Sequence, residues 1–325
     1  SGDTGSAAIA GCSRFPNLPI FILYPHGRVS DFQRRQMTTM ASQNIHIGAI
    51  DGSFDDCQAM VKASFRDQSF LPSGFDLVAV NSINWARIMA QVVYYFYAAL
   101  RLGAPDKMVA FSVPTGNFGD IFSGYIAHRM GLPIDGLVIA TNENDVLHTA
   151  VESGYYERQE AKKSYSPSMD ISVSSNFERL LFDLYDRDGI AIAELMRRFD
   201  SEGMILSQSA LSRLRALFSS KRVSDLETIE QISSTWLSSG YLLDPHSAIG
   251  VNAALKSDFS TETQVVSLAT AHPAKFSEAV LATGIDIELE VPLRVSSMFD
   301  KEERFDILPN QLSDVQSHIR RLLQN

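Results

Sequence analysis

Short β-branched and apolar runs recur along this chain with longer amphipathic stretches between them, and that alternation restricts the fold more than any other feature. PIFILYP (19–25), NIHIGAID (44–51), DLVAV (76–80), MVAFSV (108–113), GLVIAT (136–141) and QVVSLAT (264–270) read as buried strands. Between them, 31–43, 53–67, 84–102 and 119–131 carry apolar residues at helical spacing. Such alternation gives crossover connections, and hence a largely parallel sheet with helices on both faces. At 325 residues the chain has room for two domains and a sizeable core.

The alternation breaks over 142–260. NFERLLFDLYDR, IAIAELMRRF, SALSRLRALFSS and LETIEQISSTWLSS all carry apolar residues three and four apart with polar faces between. This stretch reads as a helical insertion on an α/β frame, and the polar run YERQEAKKSYSPS (156–168) as an exposed loop.

Charge and cysteine content limit the function classes. A formal net charge of −10 disfavours non-specific binding to nucleic acid or to an anionic membrane. An anionic ligand therefore needs local cations and oriented backbone amides. Cys12 and Cys57 cannot form a disulfide framework. No apolar run reaches transmembrane length, no N-terminal targeting pattern is visible, and the cytoplasm is the expected compartment.

The strongest local signal is SVPTGNFGDIFSGYIAHRMG (112–131). A strand runs into Gly116-Asn117-Phe118-Gly119-Asp120 and then into a helix. Gly116 and Gly119 let the main chain approach a ligand closely, and the helix N-terminus favours an anion. A phosphate fits there; the same residues also suit a tight turn that holds no ligand. No Gly-Lys-Ser/Thr follows, so this is not a P-loop, and it is not a G-x-G-x-x-G fingerprint.

SGDTGSAA (1–8) repeats the logic, with hydroxyls on Ser1, Thr4 and Ser6 and close-approach amides at Gly2 and Gly5. Asp3 is an acceptor; it suits an Asx-type turn or a plain N-cap. In NSINWARIMAQ (81–91), Asn81, Ser82 and Asn84 stand at a strand end, with Arg87 three residues beyond Asn84 on one helix side. An arginine there can grip a phosphate or carboxylate with two parallel hydrogen bonds, or be an ordinary surface cation. YPHGRVSDFQRRQM (24–37) sets His26 and Arg28 around a glycine turn, and in ATAHPAKF (269–276) a strand ends at Thr270. The histidines have no metal-ligand spacing, and no G-x-S-x-G nucleophile turn occurs.

Taken in order, SGDTGSAA, NSINWARI, PTGNFGD, NEND, SMDISVSSNFERLLFD, DPHSAIG and ATAHPAKF, from Ser1 to Phe276, resemble the threonine synthases, which are fold type II pyridoxal-phosphate enzymes. The resemblance implies a two-domain α/β fold of the tryptophan synthase beta-like type. Residues 1–80 would be the remainder of a small mobile domain, and 81–325 a large cofactor domain carrying the insertion at about 142–260. It implies conversion of O-phospho-L-homoserine and water to L-threonine and phosphate, with pyridoxal 5'-phosphate as cofactor.

Carried over by motif, Gly116, Asn117, Phe118, Gly119 and Asp120 would hold the cofactor phosphate, with Asp120 bracing the loop, and Thr270 would bond the pyridine nitrogen. Ser1, Gly2, Asp3, Thr4 and Gly5 would meet one end of the substrate, and Ser82, Asn84 and Arg87 the other. His26, which stands where the family often has lysine in a Pro-Lys-Gly turn, would also face the anionic substrate.

The family's Schiff-base lysine, in a Phe-Lys-Asp stretch, has no counterpart: Lys62, Lys107, Lys162, Lys163 and Lys275 all lie in the wrong setting. The expectation is that this lysine belongs to a segment upstream of Ser1, and that this chain alone carries no catalytic residue and is inactive. Two other readings keep the ligand site: a phospho-amino-acid lyase or dehydratase, and a non-catalytic binding homologue.

Overall fold

The computed structural model describes residues 3–40, 42–287 and 289–324. In chain order the elements begin with α1 (Asp3–Cys12), β1 (Ile20–Pro25), α2 (Asp31–Thr38), β2 (Ile45–Ile50) and α3 (Phe54–Arg66). There follow α4 (Trp85–Arg101), β3 (Val109–Pro114), α5 (Gly119–Arg129), β4 (Ile134–Thr141), α6 (Val146–Ser153) and β5 (Tyr155–Tyr156). Next come α7 (Phe177–Leu184), α8 (Gly189–Glu202), β6 (Met204–Ile205), α9 (Gln208–Arg215), β7 (Phe218–Arg222), α10 (Asp225–Ser239) and α11 (Pro245–Leu255). The chain closes with β8 (Gln264–Ser267), α12 (Ser277–Ala282), α13 (Leu293–Ser296), β9 (Asp306–Leu308) and α14 (Leu312–Leu323). Two compact units result: Ser1–Asn81 with Glu290–Asn325, and Ser82–Leu289.

The first unit is built on a parallel sheet in the order β1-β2-β9. Period-two alternation sends Ile20, Ile22 and Tyr24 of β1 to one face, against Ile9 of α1 and Met37 of α2. Phe21 and Leu23 turn to the other, against Cys57 and Met60 of α3 and Val315 and Ile319 of α14. Capping boxes fix where two helices begin: Ser30 with Gln33 at α2, and Ser53 with Asp56 at α3. Arg34 of α2 donates to Glu303 of the tail from Nε (2.8 Å) and Nη2 (3.0 Å), and Thr38 Oγ1 donates to the same carboxylate (2.7 Å).

The second unit holds a parallel sheet in the order β7-β4-β3-β8. All six residues of β3 are buried, which demands cover on both faces. On one face Val109, Phe111 and Val113 meet Ile88, Val92 and Tyr95 of α4 and Ile121 and Phe122 of α5. On the other, Val138 and Ala140 of β4 meet Ile249 and Ala253 of α11.

Five sequence expectations differ from the structure. DLVAV joins no strand among the described residues: Val78 is 78% exposed and Val80 48%, and only Leu77 of the run packs against a core. The 142–260 stretch is not wholly helical, because its ALFSSKR segment supplies β7, parallel to β4. QVVSLAT ends as a strand at Ser267 and lies at the sheet edge, only partly buried, so Thr270 stands in the loop beyond. The run expected to be an exposed loop, 156–168, has buried residues at Tyr156 and Ser166. The tail differs as well. Instead of continuing the second unit, residues 290–325 complete the first, because β9 pairs with β2.

Candidate functional site

Four parallel strands end on one edge of the second unit's sheet, where open α/β sheets place their ligands. Strand order therefore sets the order of the turns that follow: Val223–Ser224, Asn142–Asp145, Thr115–Phe118 and Leu268–His272. The glycine-bearing turn after β3 lies between the Asn-Glu-Asn-Asp turn and the Thr270 loop.

The turn after β3 is held from several sides. Thr115 donates its N–H to Ala140 O (2.8 Å) and its hydroxyl to Val113 O (2.6 Å). Asn117 Oδ1 accepts from Gly119 N (2.8 Å), closing an Asx-type turn. Phe118 has φ 66° and ψ 3°, a left-handed conformation that costs a non-glycine residue about 1–2 kcal/mol. Its ring is buried edge-on to Phe177 (5.3 Å) and tilted against Phe218 (5.9 Å), and this packing enforces the conformation.

The two glycines have steric reasons to be glycine. A Cβ on Gly116 would stand 3.1 Å from Ser168 O and Met169 Cα. One on Gly119 would stand 2.9 Å from Asn117 Oδ1. Among the described residues no acceptor faces the N–H groups of Phe118, Asp120 and Ile121. Left without an intrahelical partner at a helix start, those groups suit a phosphate. The residues therefore fit a phosphorylated cofactor.

Asp120 does a different job. Its carboxylate accepts from the hydroxyls of Tyr94 and Tyr95 of α4, and Tyr95 also donates to its backbone oxygen at 2.9 Å. Burial raises its pKa against these hydrogen bonds, which favour the charged form. It anchors the start of α5 to α4.

The sequence reading missed the clamp that joins this turn to 82–84. Asn176, fully buried, donates from its backbone and from Nδ2 to Asn117 O (3.0 Å each), and from Nδ2 to Ser82 O (3.2 Å). Arg179 donates from Nε to Asn176 Oδ1 (3.2 Å) and from Nη2 to Ile83 O (2.8 Å). Ser174 Oγ donates to Gly116 O (2.7 Å). The one sequence signal was an asparagine opening an amphipathic helix, which reads as a cap; Asn176 makes no side-chain cap bond to its own helix.

The predicted substrate residues divide between the units. In the second, Asn84 is the N-cap of α4, its Oδ1 accepting from Ala86 N (2.9 Å). Arg87 sits in the same first turn, and burial pushes its pKa down from the ordinary arginine value. Ser82 lies before it in the clamped segment, and Thr270 is exposed, donating its N–H to Ser247 Oγ (3.2 Å).

In the first unit, Asp3, Thr4 and Gly5 form the opening turn of α1, and Ser1 and Gly2 lie outside the described residues. Asp3 Oδ2 accepts from Gln33 Nε2 (3.3 Å). Gly5 belongs to the helix, and its missing Cβ admits Met37 Sδ and Ile22 Cγ2. His26 is exposed after β1, its N–H bonded to Ile50 O (2.8 Å). Among the described residues no group of three or more His, Cys, Asp or Glu side chains is placed to hold a metal, and no helix is long and apolar enough to cross a membrane.

Comparison with known proteins converges on one family. A family model described as pyridoxal-phosphate dependent enzyme matches residues 1–223, and one described as threonine synthase, C-terminal, matches 247–319. The threonine synthase of Pseudomonas aeruginosa is 57% identical over 320 residues, covering 98% of this chain and 68% of the relative. The crystal structure of pyridoxal-phosphate-bound threonine synthase from Brucella melitensis superposes with a TM-score of 0.92 at 50% identity, covering 100% of this chain and 69% of that one. The yeast threonine synthase structure gives a TM-score of 0.89 at 40% identity, covering 99% and 68%. The chain thus spans about two thirds of the length of these relatives. With a glycine turn suited to a phosphate at the strand ends and this breadth of likeness, the chain belongs to the threonine synthases, a family of fold type II pyridoxal-phosphate-dependent enzymes.

Proposed function

We propose that this chain serves the conversion of O-phospho-L-homoserine and water to L-threonine and phosphate. The observation that carries the reading is the turn after β3: tightly packed Gly116 and Gly119 and a left-handed Phe118 lead into the start of α5, where the N–H groups of Phe118, Asp120 and Ile121 make no hydrogen bond among the described residues. On this reading the N–H groups of Phe118, Asp120 and Ile121 hold the cofactor phosphate, with Gly116, Asn117 and Gly119 shaping the cradle. Thr270 meets the pyridine nitrogen through its hydroxyl. A neutral partner there leaves the ring less electron-demanding than a carboxylate would.

Pyridoxal phosphate, when bound, supplies an electron sink for negative charge developing at the substrate's Cα and Cβ. The chain's own residues bind and orient. Arg87 remains a cation at neutral pH despite its burial. Together with Ser82 and Asn84 it takes one anionic end of the substrate. Asp3, Thr4 and Gly5 at the start of α1 take the other, with Ser1 and Gly2 before them. Asn176 and Arg179 fix the 82–84 segment to the phosphate cradle, so both sites share one frame.

We infer also that the amine holding the cofactor covalently is not among this chain's lysines. Lys62 is on α3 of the first unit, Lys256 is paired with Glu227, and Lys162 and Lys163 lie in the 157–166 loop. The test is to incubate the chain with pyridoxal phosphate and O-phospho-L-homoserine, with and without methylamine as a small replacement base. Threonine and phosphate in equal amounts, only when the amine is present, are expected. A 2-oxo acid as product favours the lyase reading, and turnover without added amine refutes the inference about lysine. In the same assay Arg87→Ala is expected to weaken substrate binding at least about tenfold with folding intact; unchanged affinity removes Arg87 from the site.

A further inference from the structure

The stretch DPHSAIG, part of the family resemblance, contributes no residue to the cradle or the clamp. It opens α11, where Asp244 is the N-cap and Pro245 the first helical residue. Asp244 is 2% exposed, His246 3% and Ser247 3%. Three adjacent polar side chains this deeply buried need a reason.

Their hydrogen bonds form one continuous chain. Ser168 donates its N–H to His246 Nε2 (3.2 Å), so the imidazole lone pair lies on Nε2 and the proton on Nδ1. That Nδ1 proton goes to Asp244 Oδ1 (3.0 Å). The other carboxylate oxygen accepts from the Ser247 hydroxyl, which leaves the Ser247 lone pairs to accept the N–H of Thr270 (3.2 Å). Burial works against the Asp244 charge, and bonds from His246 and Ser247 outweigh it and hold its pKa below the usual value. Phe276 closes the outer side, edge-on to the imidazole at 4.5 Å.

Both ends of this chain reach the candidate cofactor site. Ser168 O is one of the atoms that would stand 3.1 Å from a Cβ on Gly116. Thr270 is the residue assigned to the ring nitrogen. We propose that Asp244, His246 and Ser247 are positioning residues that set the distance between the phosphate cradle and the ring-nitrogen hydroxyl. This rests on the cofactor reading given above. Asp244 orients both neighbours: without its charge the Ser247 proton has no fixed direction, and the hydroxyl no longer presents a lone pair to Thr270.

The experiment uses pyridoxamine phosphate, which has no aldehyde and so reports non-covalent binding to this chain. Its dissociation constant and ring absorption are measured for wild type, Ser247→Ala, Ser247→Thr and Thr270→Val, with inorganic phosphate binding as the control for the cradle. Ser247→Ala is expected to weaken pyridoxamine phosphate about tenfold and to shift its absorption, with inorganic phosphate within about twofold of wild type. Ser247→Thr, which keeps the hydroxyl, restores both.

Wild-type affinity and absorption in a folded Ser247→Ala overturn the positioning proposal. If Thr270→Val also leaves them unchanged, the cofactor reading of Thr270 falls with it. If Thr270→Val alters them and Ser247→Ala does not, only the positioning role is lost. Weakening of inorganic phosphate as strongly as of pyridoxamine phosphate in Ser247→Ala marks general loosening and also overturns the proposal.

Discussion

Two glycine-bearing helix starts look alike in sequence, and the structure separates them. A Cβ on Gly5 of α1 would crowd apolar side chains, with Met37 Sδ at 3.0 Å and Ile22 Cγ2 at 3.1 Å. A Cβ on Gly116 would crowd main-chain atoms instead, with Ser168 O and Met169 Cα at 3.1 Å. Flexible side chains can yield by a few tenths of an ångström, whereas a backbone carbonyl held in a polar framework cannot do so cheaply. Small residues before a helix thus report close approach, without saying whether it serves packing or a ligand.

The sharpest way to break the contrast is substitution at the two glycines, beginning with the more severe. Gly116→Ala is expected to cost about 1–3 kcal/mol of stability and to lower pyridoxamine phosphate affinity about tenfold or more. Titration of the purified variant, with denaturant unfolding in parallel, measures both. Wild-type affinity would show that the cradle is elsewhere.

Next in size is the clamp. Asn176→Ala removes two side-chain donors from partly buried carbonyls and an acceptor from Arg179, and is expected to cost about 2 kcal/mol in urea unfolding. A change within error would mean that the backbone N–H of Asn176 suffices to hold Asn117.

The matching link in the first unit is ionic. Arg34, through its hydrogen bond, leads the effects that hold the Glu303 pKa below the ordinary carboxylate value, against the opposing pull of burial. A depressed folded pKa contributes stability that is present above the unfolded pKa of about 4.3 and lost as pH falls through the folded value. Glu303→Gln is expected to cost about 1 kcal/mol at pH 7 and to flatten the stability profile below pH ~4. An identical acid limb in the variant would assign that limb to other carboxylates.

Gly5→Ala closes the series. The gain in helix propensity of about 1 kcal/mol opposes the crowding at Met37, so net stability should move by less than about 1 kcal/mol. Pyridoxamine phosphate affinity should be unchanged; a tenfold loss would erase the distinction between the two glycine turns.

Strands and helices with strong periodicity were legible. β1, β2, β3 and β4 fall in the runs that predicted them, because buried parallel strands leave apolar, β-branched segments. β7 was hidden inside SALSRLRALFSS, where helical spacing up to Leu217 runs on into an edge strand of Phe218, Ser219 and Ser220. DLVAV misled in the opposite direction: its composition is that of a strand, but its valines are exposed. At the site, the glycine turn was visible as a local pattern. The clamp of Asn176 and Arg179 was not, since its partners lie 59 and 94 residues away along the chain.

What the sequence determined by itself is therefore local and periodic: the α/β alternation, the strand-to-helix turn at Gly116–Asp120, and the family. Only the tertiary structure decided which residues of distant segments share a hydrogen bond. It placed β9 beside β2, set Ser168 against Gly116, and tied Thr270 to Asp244 through Ser247. The physical reason is range. Propensity and periodicity act over a few residues, whereas the geometry of a buried polar network depends on which carbonyls and amides the folded chain leaves in need of partners.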